Sequence, residues 1–323
     1  MKHVNIGFIG CGMVSELHYQ ALQHCKGAKL AAVYDVNPSQ REKRAVEWGV
    51  PAYEDLPSML RSETIDAVFV LSPVERHYEQ VVDALRNGKH VLVEKPVSVT
   101  VSEIDEMDRL AKRLGLVCMP AHNYIYLPEM ARLKRNLEAR RFGDVPVSWM
   151  MYHVHHPKTV TAAYPGILRQ IGTHLLYAHR YLFGDPAKLD VTASRFRYPE
   201  LGREDQAMVT LTMPDGALAH LFASFAVNDT TSNPWSFLIK VLGTEGGAQI
   251  SWQDTVFARS IGTLSTSFGS YEESYEHEIQ YFIESCIGRG AQPLSSMKDA
   301  AKVMALVEQA EDQIREGWGT KHE

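Results

Sequence analysis

A strand that runs into a glycine turn and out into a helix commits a chain to very few folds, and this chain starts that way. Val4 to Ile9 is an apolar, β-prone run, and Gly10-Cys11-Gly12-Met13-Val14-Ser15 follows it. Glycine at the first and third places lets the backbone turn tightly and meet a ligand, while the helix beyond offers free N-terminal amides to a pyrophosphate. The context supports that use. Val14 to Cys25 is patterned as a helix, and Lys29 to Tyr34 as a second strand that ends in Asp35. An acid at that place accepts hydrogen bonds from a ribose diol. Gly10, Cys11, Gly12, Met13, Val14 and Asp35 are thus the expected contacts of a bound dinucleotide. The carboxylate of Asp35 also repels a 2′-phosphate, which favours NAD over NADP. Ser15 is a departure, since a third glycine or alanine there would let helix and strand pack more closely.

Helical and strand patterns keep alternating to about residue 123. Asn37 and Pro38 open a helix that Gly49 closes. Ile65 to Leu71 is nearly all apolar, as a parallel strand buried on both faces must be, and ends in Ser72-Pro73. A helix to Asn87-Gly88, a strand over His90 to Val93, a helix from Ser102 to Gly115 and a strand over Leu116 to Met119 complete the pattern. This predicts an α/β fold whose first domain, residues 1–122, is a doubly wound parallel sheet of the Rossmann type. A chain of 323 residues exceeds one hydrophobic core, so a second domain over 123–323 is expected. There the rhythm changes to one helix, Glu129 to Arg140, and then strands: Val145–Val154, Leu189–Tyr198, Ala207–Met213, Ala217–Val227, Phe237–Leu242 and Ala248–Trp252. Turn signals at Pro214-Asp215-Gly216 and Thr244-Glu245-Gly246-Gly247 favour antiparallel neighbours. Helices over Glu272–Ile287 and Met297–Arg315 follow. The second domain should be α+β, with an open, mostly antiparallel sheet.

Composition removes several classes of partner. A formal charge of −6 argues against nucleic acid, and the basic stretch from Arg132 to Arg141 fits the solvated face of one helix. No apolar run approaches a membrane span. Lys2 before an apolar run imitates a signal sequence, but that run is spent on the first strand. Cys11, Cys25, Cys118 and Cys286 lack paired spacing, and a disulfide at Cys11 would obstruct the glycine turn. A reducing, cytoplasmic setting is expected.

The chemistry centres on Glu94-Lys95-Pro96. Ligands of open α/β sheets sit outside the carboxyl ends of the strands, and this triplet follows the strand His90 to Val93. Lys95 should face the nicotinamide. An ammonium beside a cationic ring is disfavoured, so Lys95 can exchange a proton with a substrate hydroxyl. Pro96 argues for a fixed backbone there, with a cis bond among the options.

These motifs together resemble the glucose-fructose oxidoreductase, inositol dehydrogenase and rhizopine-catabolism family (Gfo/Idh/MocA) over essentially the whole chain. The matching pieces are the turn from Gly10 to Ser15, Ser72-Pro73 with His77, Glu94-Lys95-Pro96 and His122-Asn123-Tyr124. Gly172-Thr173-His174 with Leu182-Phe183-Gly184, and Gly243-Thr244-Glu245-Gly246, continue the series. The resemblance implies an NAD(P)-dependent dehydrogenase or reductase acting on CH–OH groups of a sugar, polyol or sugar derivative. It implies that Leu71, Ser72, Pro73, His77, Glu94, Lys95 and Asn123 join the cofactor contacts, with Lys95 and His174 at the reacting carbon. It also implies that the second sheet lines the substrate pocket and makes a homodimer or homotetramer contact.

One departure stands out. The family usually carries an aspartate four residues before the histidine and another three after it, where this chain has Gln170 and Tyr177. Gln170 and His174 share a face in a regular helix, but glutamine cannot trade a proton. Acid and base duty then falls on Lys95, with His174 as orienter or second proton acceptor and Gln170 bonding a hydroxyl. His153, His155 and His156 suggest a metal only weakly, because no cysteine or acid stands at ligand spacing; His153 and His155 are read as polar lining of the substrate pocket, with no metal. Tyr164, Asn123 and Tyr126 are further lining, Tyr126 fitting a core equally well. Two alternatives stay open: a redox-neutral sugar lyase or glycosidase of the same fold that uses NAD transiently, and a non-catalytic NAD-binding sensor. The lysine triplet argues against the sensor.

Overall fold

Two β-sheets organise the chain, which a computed structural model describes over residues 3–227, 235–251, 255–259, 262–266 and 271–319. The first sheet is parallel, with β1 (Val4–Ile9), β2 (Ala28–Tyr34), β3 (Ala67–Val70), β4 (His90–Val93) and β5 (Cys118–Pro120) in the order β2-β1-β3-β4-β5. Connections leave β1 in one direction and β3 in the other. The crevice where ligands of such sheets bind therefore opens at the carboxyl ends of these two strands.

The crossovers are α1 (Met13–His24), α2 (Pro38–Trp48), α3 (Leu56–Arg61), α4 (His77–Arg86) and α5 (Val101–Leu114). Their ends follow local chemistry. The Asn37 side chain accepts from the Ser39 amide at 3.0 Å, and Gly49 closes α2 in the left-handed region. Helix α3 was not foreseen, although Asp55 carries its signal by accepting from the Ser58 amide at 2.8 Å. Thr100, and not Ser102, caps α5, accepting from Glu103. Ile6, Phe8, Val68, Phe69, Val91 and Leu92 are fully buried, as a sheet covered on both faces demands.

The second part begins with α6 (Pro128–Glu138), β6 (Val147–Val154), the short α7 (Lys158–Thr161), a π-helical turn over Leu168–Gly172 and α8 (Thr173–Phe183). Strands β7 (Lys188–Ser194), β8 (Gln206–Thr212), β9 (Leu218–Ser224), β10 (Trp235–Leu242), β11 (Gly246–Ser251), β12 (Thr255–Arg259) and β13 (Gly262–Thr266) complete an eight-stranded sheet. Its order is β13-β12-β11-β10-β6-β9-β8-β7. Every pair is antiparallel except β6 with β9. The two turn signals read from the sequence join β8 to β9 and β10 to β11; β12 and β13 were not foreseen. Burial alternates along the strands, with Ser148, Met150 and Tyr152 of β6 inside and Trp149 exposed. Helix α8 and the π-helical turn pack on the inner face.

The chain then forms α9 (Tyr271–Gln280), which continues as a π-helical segment over Tyr281–Ile287, and α10 (Met297–Gly319). By packing there are two compact units, residues 1–127 with 271–302 and residues 128–270 with 303–323. The sequence suggested one crossing, at 122; the chain crosses three times, because α9 returns to pack on α1. No helix among the described residues is long and apolar enough to cross a membrane.

Candidate functional site

The glycine turn is built by a close approach of backbones. Gly10 has φ +105°, and a Cβ there would stand 2.7 Å from the carbonyl carbon of Leu71 and 2.8 Å from the amide nitrogen of Ser72. Only glycine lets the turn after β1 press on the segment after β3, so the first loop and the Leu71-Ser72-Pro73 loop come together. Gly12 is the opposite case: it precedes α1, and a Cβ would meet nothing within 4 Å. No side chain caps α1, so its first amides are open donors. Ser15 is fully buried and donates to the Gly12 carbonyl at 2.6 Å, which satisfies the hydroxyl that replaces the third glycine.

Asp35 follows β2 and holds the turn from the other side. Its Oδ2 accepts the Cys11 amide at 2.7 Å, its Oδ1 accepts the Asn37 amide at 2.8 Å, and Arg41 donates to its backbone carbonyl at 3.1 Å. Burial and then the Asp35 charge push the Cys11 thiol up to about 12, so Cys11 is a packing group. Met13 and Val36 stand 75% and 74% exposed on either side of this constellation. Tight turn, open Gly12, uncapped helix and a carboxylate at the end of β2 are the donor and acceptor set that a dinucleotide needs. The residues present fit that cofactor.

The lysine loop lies at the end of β4 in the same unit. Glu94 is buried, with Oε1 accepting from His18 Nε2 at 2.8 Å and Oε2 from the Lys95 amide at 2.9 Å. Burial alone would raise its pKa; the His18 bond and the Lys95 charge outweigh that and hold it below the usual value. Lys95 has the reverse balance, its ammonium weakened by burial and partly restored by Glu94. The Lys95–Pro96 bond is cis. His77 is buried too, with Nδ1 2.9 Å from the Pro96 carbonyl oxygen and Nε2 2.7 Å from that of Ser72. It ties the Ser72 and Pro96 loops together from inside, a strut beneath the expected cofactor surface. Glu94 likewise faces inward. Ser72 Oγ donates to Gln80 at 2.5 Å.

Asn123 is buried on a short turn over Asn123–Tyr126 and donates to Ser274 Oγ of α9 at 2.8 Å. Tyr126 is core: its ring lies 5.2 Å from that of Tyr281, its hydroxyl 3.5 Å from Met119 Sδ, and burial raises its phenol well above the usual pKa.

In the second unit, His174 sits in the first turn of α8, buried, with Nδ1 2.8 Å from the Tyr177 hydroxyl and its ring 5.6 Å from that of Tyr152. Tyr177 thus partners the histidine from the place where the resemblance led to the expectation of an aspartate. Gln170 lies in the π-helical turn, whose wider i→i+5 spacing alters the shared-face argument made for a regular helix. Arg169 fastens that turn to Glu311 through two bonds of 2.6 and 2.7 Å. Glu204, which sequence inspection missed, is buried and accepts the Leu168 amide at 3.3 Å. Gly166 leaves room for that carboxylate, since a Cβ there would overlap it.

The histidines of β6 divide. Because Tyr152 faces His174, strand alternation turns His153 to the other face. His155 lies just beyond the strand. His156, not His153 or His155, meets Tyr164, with ring centroids 5.7 Å apart, and both rings contact Phe225. Among the described residues no cluster of three His, Cys, Asp or Glu is arranged to hold a metal.

Residues 4–122 match the model of the GFO/IDH/MocA oxidoreductase family with its NAD-binding Rossmann fold, and residues 130–249 match the GFO/IDH/MocA C-terminal domain. D-apiose dehydrogenase of Paraburkholderia graminis is 25% identical over 98% of this chain and 89% of its own length. The NAD(+) scyllo-inositol 2-dehydrogenase of Bacillus subtilis is 26% identical over 98% of this chain and 96% of its own. Among solved structures, an oxidoreductase from Agrobacterium radiobacter in complex with NAD+, L-tartaric acid and magnesium superposes with a TM-score of 0.88 at 21% identity, covering 98% of this chain and 97% of that one.

Proposed function

Since the chain belongs to the Gfo/Idh/MocA family of NAD-binding oxidoreductases, we propose that it transfers a hydride between NAD and a hydroxyl-bearing carbon of a sugar, polyol or sugar derivative. The observation that carries this is Lys95: it sits on the switch-point side of the parallel sheet, in the same unit as the dinucleotide turn, with its ammonium weakened by burial. NAD, when bound, supplies the hydride acceptor, held by the turn at Gly10–Val14, the open amides of α1 and Asp35, with Met13 and Val36 covered by the nucleotide. Asp35 supports NAD over NADP through its charge.

Lys95 takes the hydroxyl proton as the carbonyl forms, and returns it in the reverse direction. An amine whose pKa is lowered by burial gives up its proton more readily than an exposed lysine, as that exchange requires. His174, which the family resemblance assigns to the same reacting carbon, serves as the orienting group, with its own ring held at Nδ1 by Tyr177. Gln170, His156 and Tyr164 supply neutral hydrogen bonding and an aromatic surface suited to a sugar ring. The dehydrogenase names of D-apiose and scyllo-inositol relatives support this substrate class. Four buried free cysteines suit a reducing cytoplasm.

The outer face of the second sheet supports a homo-oligomer. Trp149, Met208 and Leu242 stand 45%, 36% and 39% exposed there, beside Met151, Phe222 and Leu238. An apolar patch of this kind marks a protein contact, and a dimer or tetramer of this chain would cover it.

The test is NADH formation from a panel including D-apiose, scyllo-inositol, other polyols and sugar acids, with products followed by chromatography. Oxidised product and NADH in equal amounts are expected. Product without NADH would replace the dehydrogenase by a redox-neutral enzyme, and NAD binding without any product across the panel would favour a sensor.

A further inference from the structure

We infer that His18 is a positioning residue for Lys95, holding Glu94 so that this carboxylate both grips the lysine backbone and stands as its counter-charge. The inference rests on the role proposed for Lys95. His18 is fully buried on α1. Its ring packs edge-on against Phe69 of β3 and Tyr275 of α9, with centroids 5.5 and 5.0 Å away. In that apolar box its Nε2 meets Glu94 Oε1 at 2.8 Å, while Nδ1 is buried without a partner. A carboxylate only accepts, so Nε2 carries the hydrogen.

A residue needed only to fill this space would be leucine or phenylalanine, since an imidazole with one nitrogen unsatisfied is a poorer core group. What the imidazole adds is one directed bond to an anion. Glu94 uses its second oxygen on the Lys95 amide at 2.9 Å, so the bond reaches the reactive loop in a single step. The surroundings leave Glu94 as the anion. Glu278 of α9 is fully buried and has no hydrogen-bond partner on either oxygen, and burial followed by the Glu94 charge raises its pKa well above the usual value. His77 and Tyr275 also feel the Glu94 charge. Without His18, Glu94 would bind a proton more readily, and Lys95 would lose both an anchored amide and part of its counter-charge.

The measurement needs no substrate. Lysine is isotope-labelled, and the Cε shift of Lys95, assigned by its absence in Lys95→Arg, is followed against pH. His18→Leu should lower the Lys95 midpoint by about one unit, the scale on which loss of an opposite charge acts. His18→Gln, whose terminal amide can donate from nearly the place of Nε2, should stay within about 0.3 unit of the parent, and His18→Asn, whose amide falls short, should behave like His18→Leu. Equal midpoints in the parent and a folded His18→Leu would overturn the inference. Should His18→Leu not fold, equal midpoints for His18→Gln and His18→Asn would overturn it instead. The role of Lys95 is read separately, from hydride transfer in Lys95→Met, so the two failures are distinguishable.

Discussion

Replacing the two glycines of the turn one at a time should separate folding from cofactor binding. Gly10→Ala puts a side chain at φ +105°, in backbone space that L-residues avoid, at about 1–3 kcal/mol. Its Cβ also lands 2.7–2.9 Å from backbone atoms of Leu71 and Ser72, which cannot swing aside as a side-chain tip can. Overpacking of that sort adds about 1–3 kcal/mol, for a total near 4 kcal/mol. In a unit of this size each kcal/mol moves the melting temperature by about 2–4 °C, so a fall of about 8–16 °C is expected without ligand. Gly12→Ala has the opposite signature. Its Cβ meets nothing, φ is −75°, and the N-cap change costs less than about 1 kcal/mol. If the turn holds the pyrophosphate as proposed, the methyl group would crowd its approach to the backbone, so NAD affinity should fall about tenfold or more, 1.4 kcal/mol. At a concentration of 100 times the parent Kd, NAD stabilises the parent by about 2.7 kcal/mol, and a tenfold weaker variant by about 1.4 kcal/mol. Thermal melts with and without NAD, backed by calorimetric titration, read both effects. A Gly12→Ala that melts as low as Gly10→Ala without ligand, or that keeps the full NAD-induced rise, would refute the reasoning.

Further outcomes follow from other sites. Lys95→Met should slow hydride transfer by roughly a hundredfold or more, with NAD affinity nearly unchanged; single-turnover rates with a panel sugar that the parent oxidises check this, and activity within a few-fold of the parent would remove the lysine from the chemistry. Asp35→Asn should raise the NADP-to-NAD affinity ratio about tenfold by removing the charge that repels a 2′-phosphate, whereas equal losses for both cofactors would mean that the acid only braces Cys11 and Asn37. Glu278 has a folded pKa raised above the unfolded 4.5, so its stabilising proton is fully held below that pH and the benefit is lost as pH rises toward the folded value. Glu278→Gln should therefore gain on the parent by about 1.4 kcal/mol per pH unit above 4.5 in denaturant unfolding, and a pH-independent difference would show that the acid is not held protonated. Leu242→Glu should dissociate the proposed oligomer in sedimentation; a parent that is itself monomeric would refute the assigned use of that face.

Much of the first unit was legible because its cues are local. The glycine turn, Asp35, the apolar parallel strands and the Asn37 and Gly49 caps each act within a few residues, and the parallel sheet follows from their alternation. The antiparallel order of β8 with β9 and of β10 with β11 was legible for the same reason, from their turn residues. What escaped depends on partners far away in sequence. Tyr126 carries an aromatic ring and a hydroxyl that suit a pocket or a core, and only its packing on Tyr281 decides between them. The return of α9 to α1 is invisible to periodicity, which says that a helix has an apolar face but not what covers it. The π-helical turn before His174 changes a spacing argument that assumed a regular helix.

The chain's amino-acid order alone determined that it begins with a dinucleotide turn, that Asp35 and the Glu94-Lys95-Pro96 loop stand at strand carboxyl ends, and that a second, sheet-rich part follows. Those statements need only short-range sterics and hydrogen bonding. Tertiary structure decided which groups act on one another: Gly10 against Leu71 and Ser72, His18 on Glu94, His77 between two loops, Tyr177 on His174. Each of those pairings sets a charge, an orientation or a close contact through burial, and burial is created by the whole fold and not by neighbours in the chain.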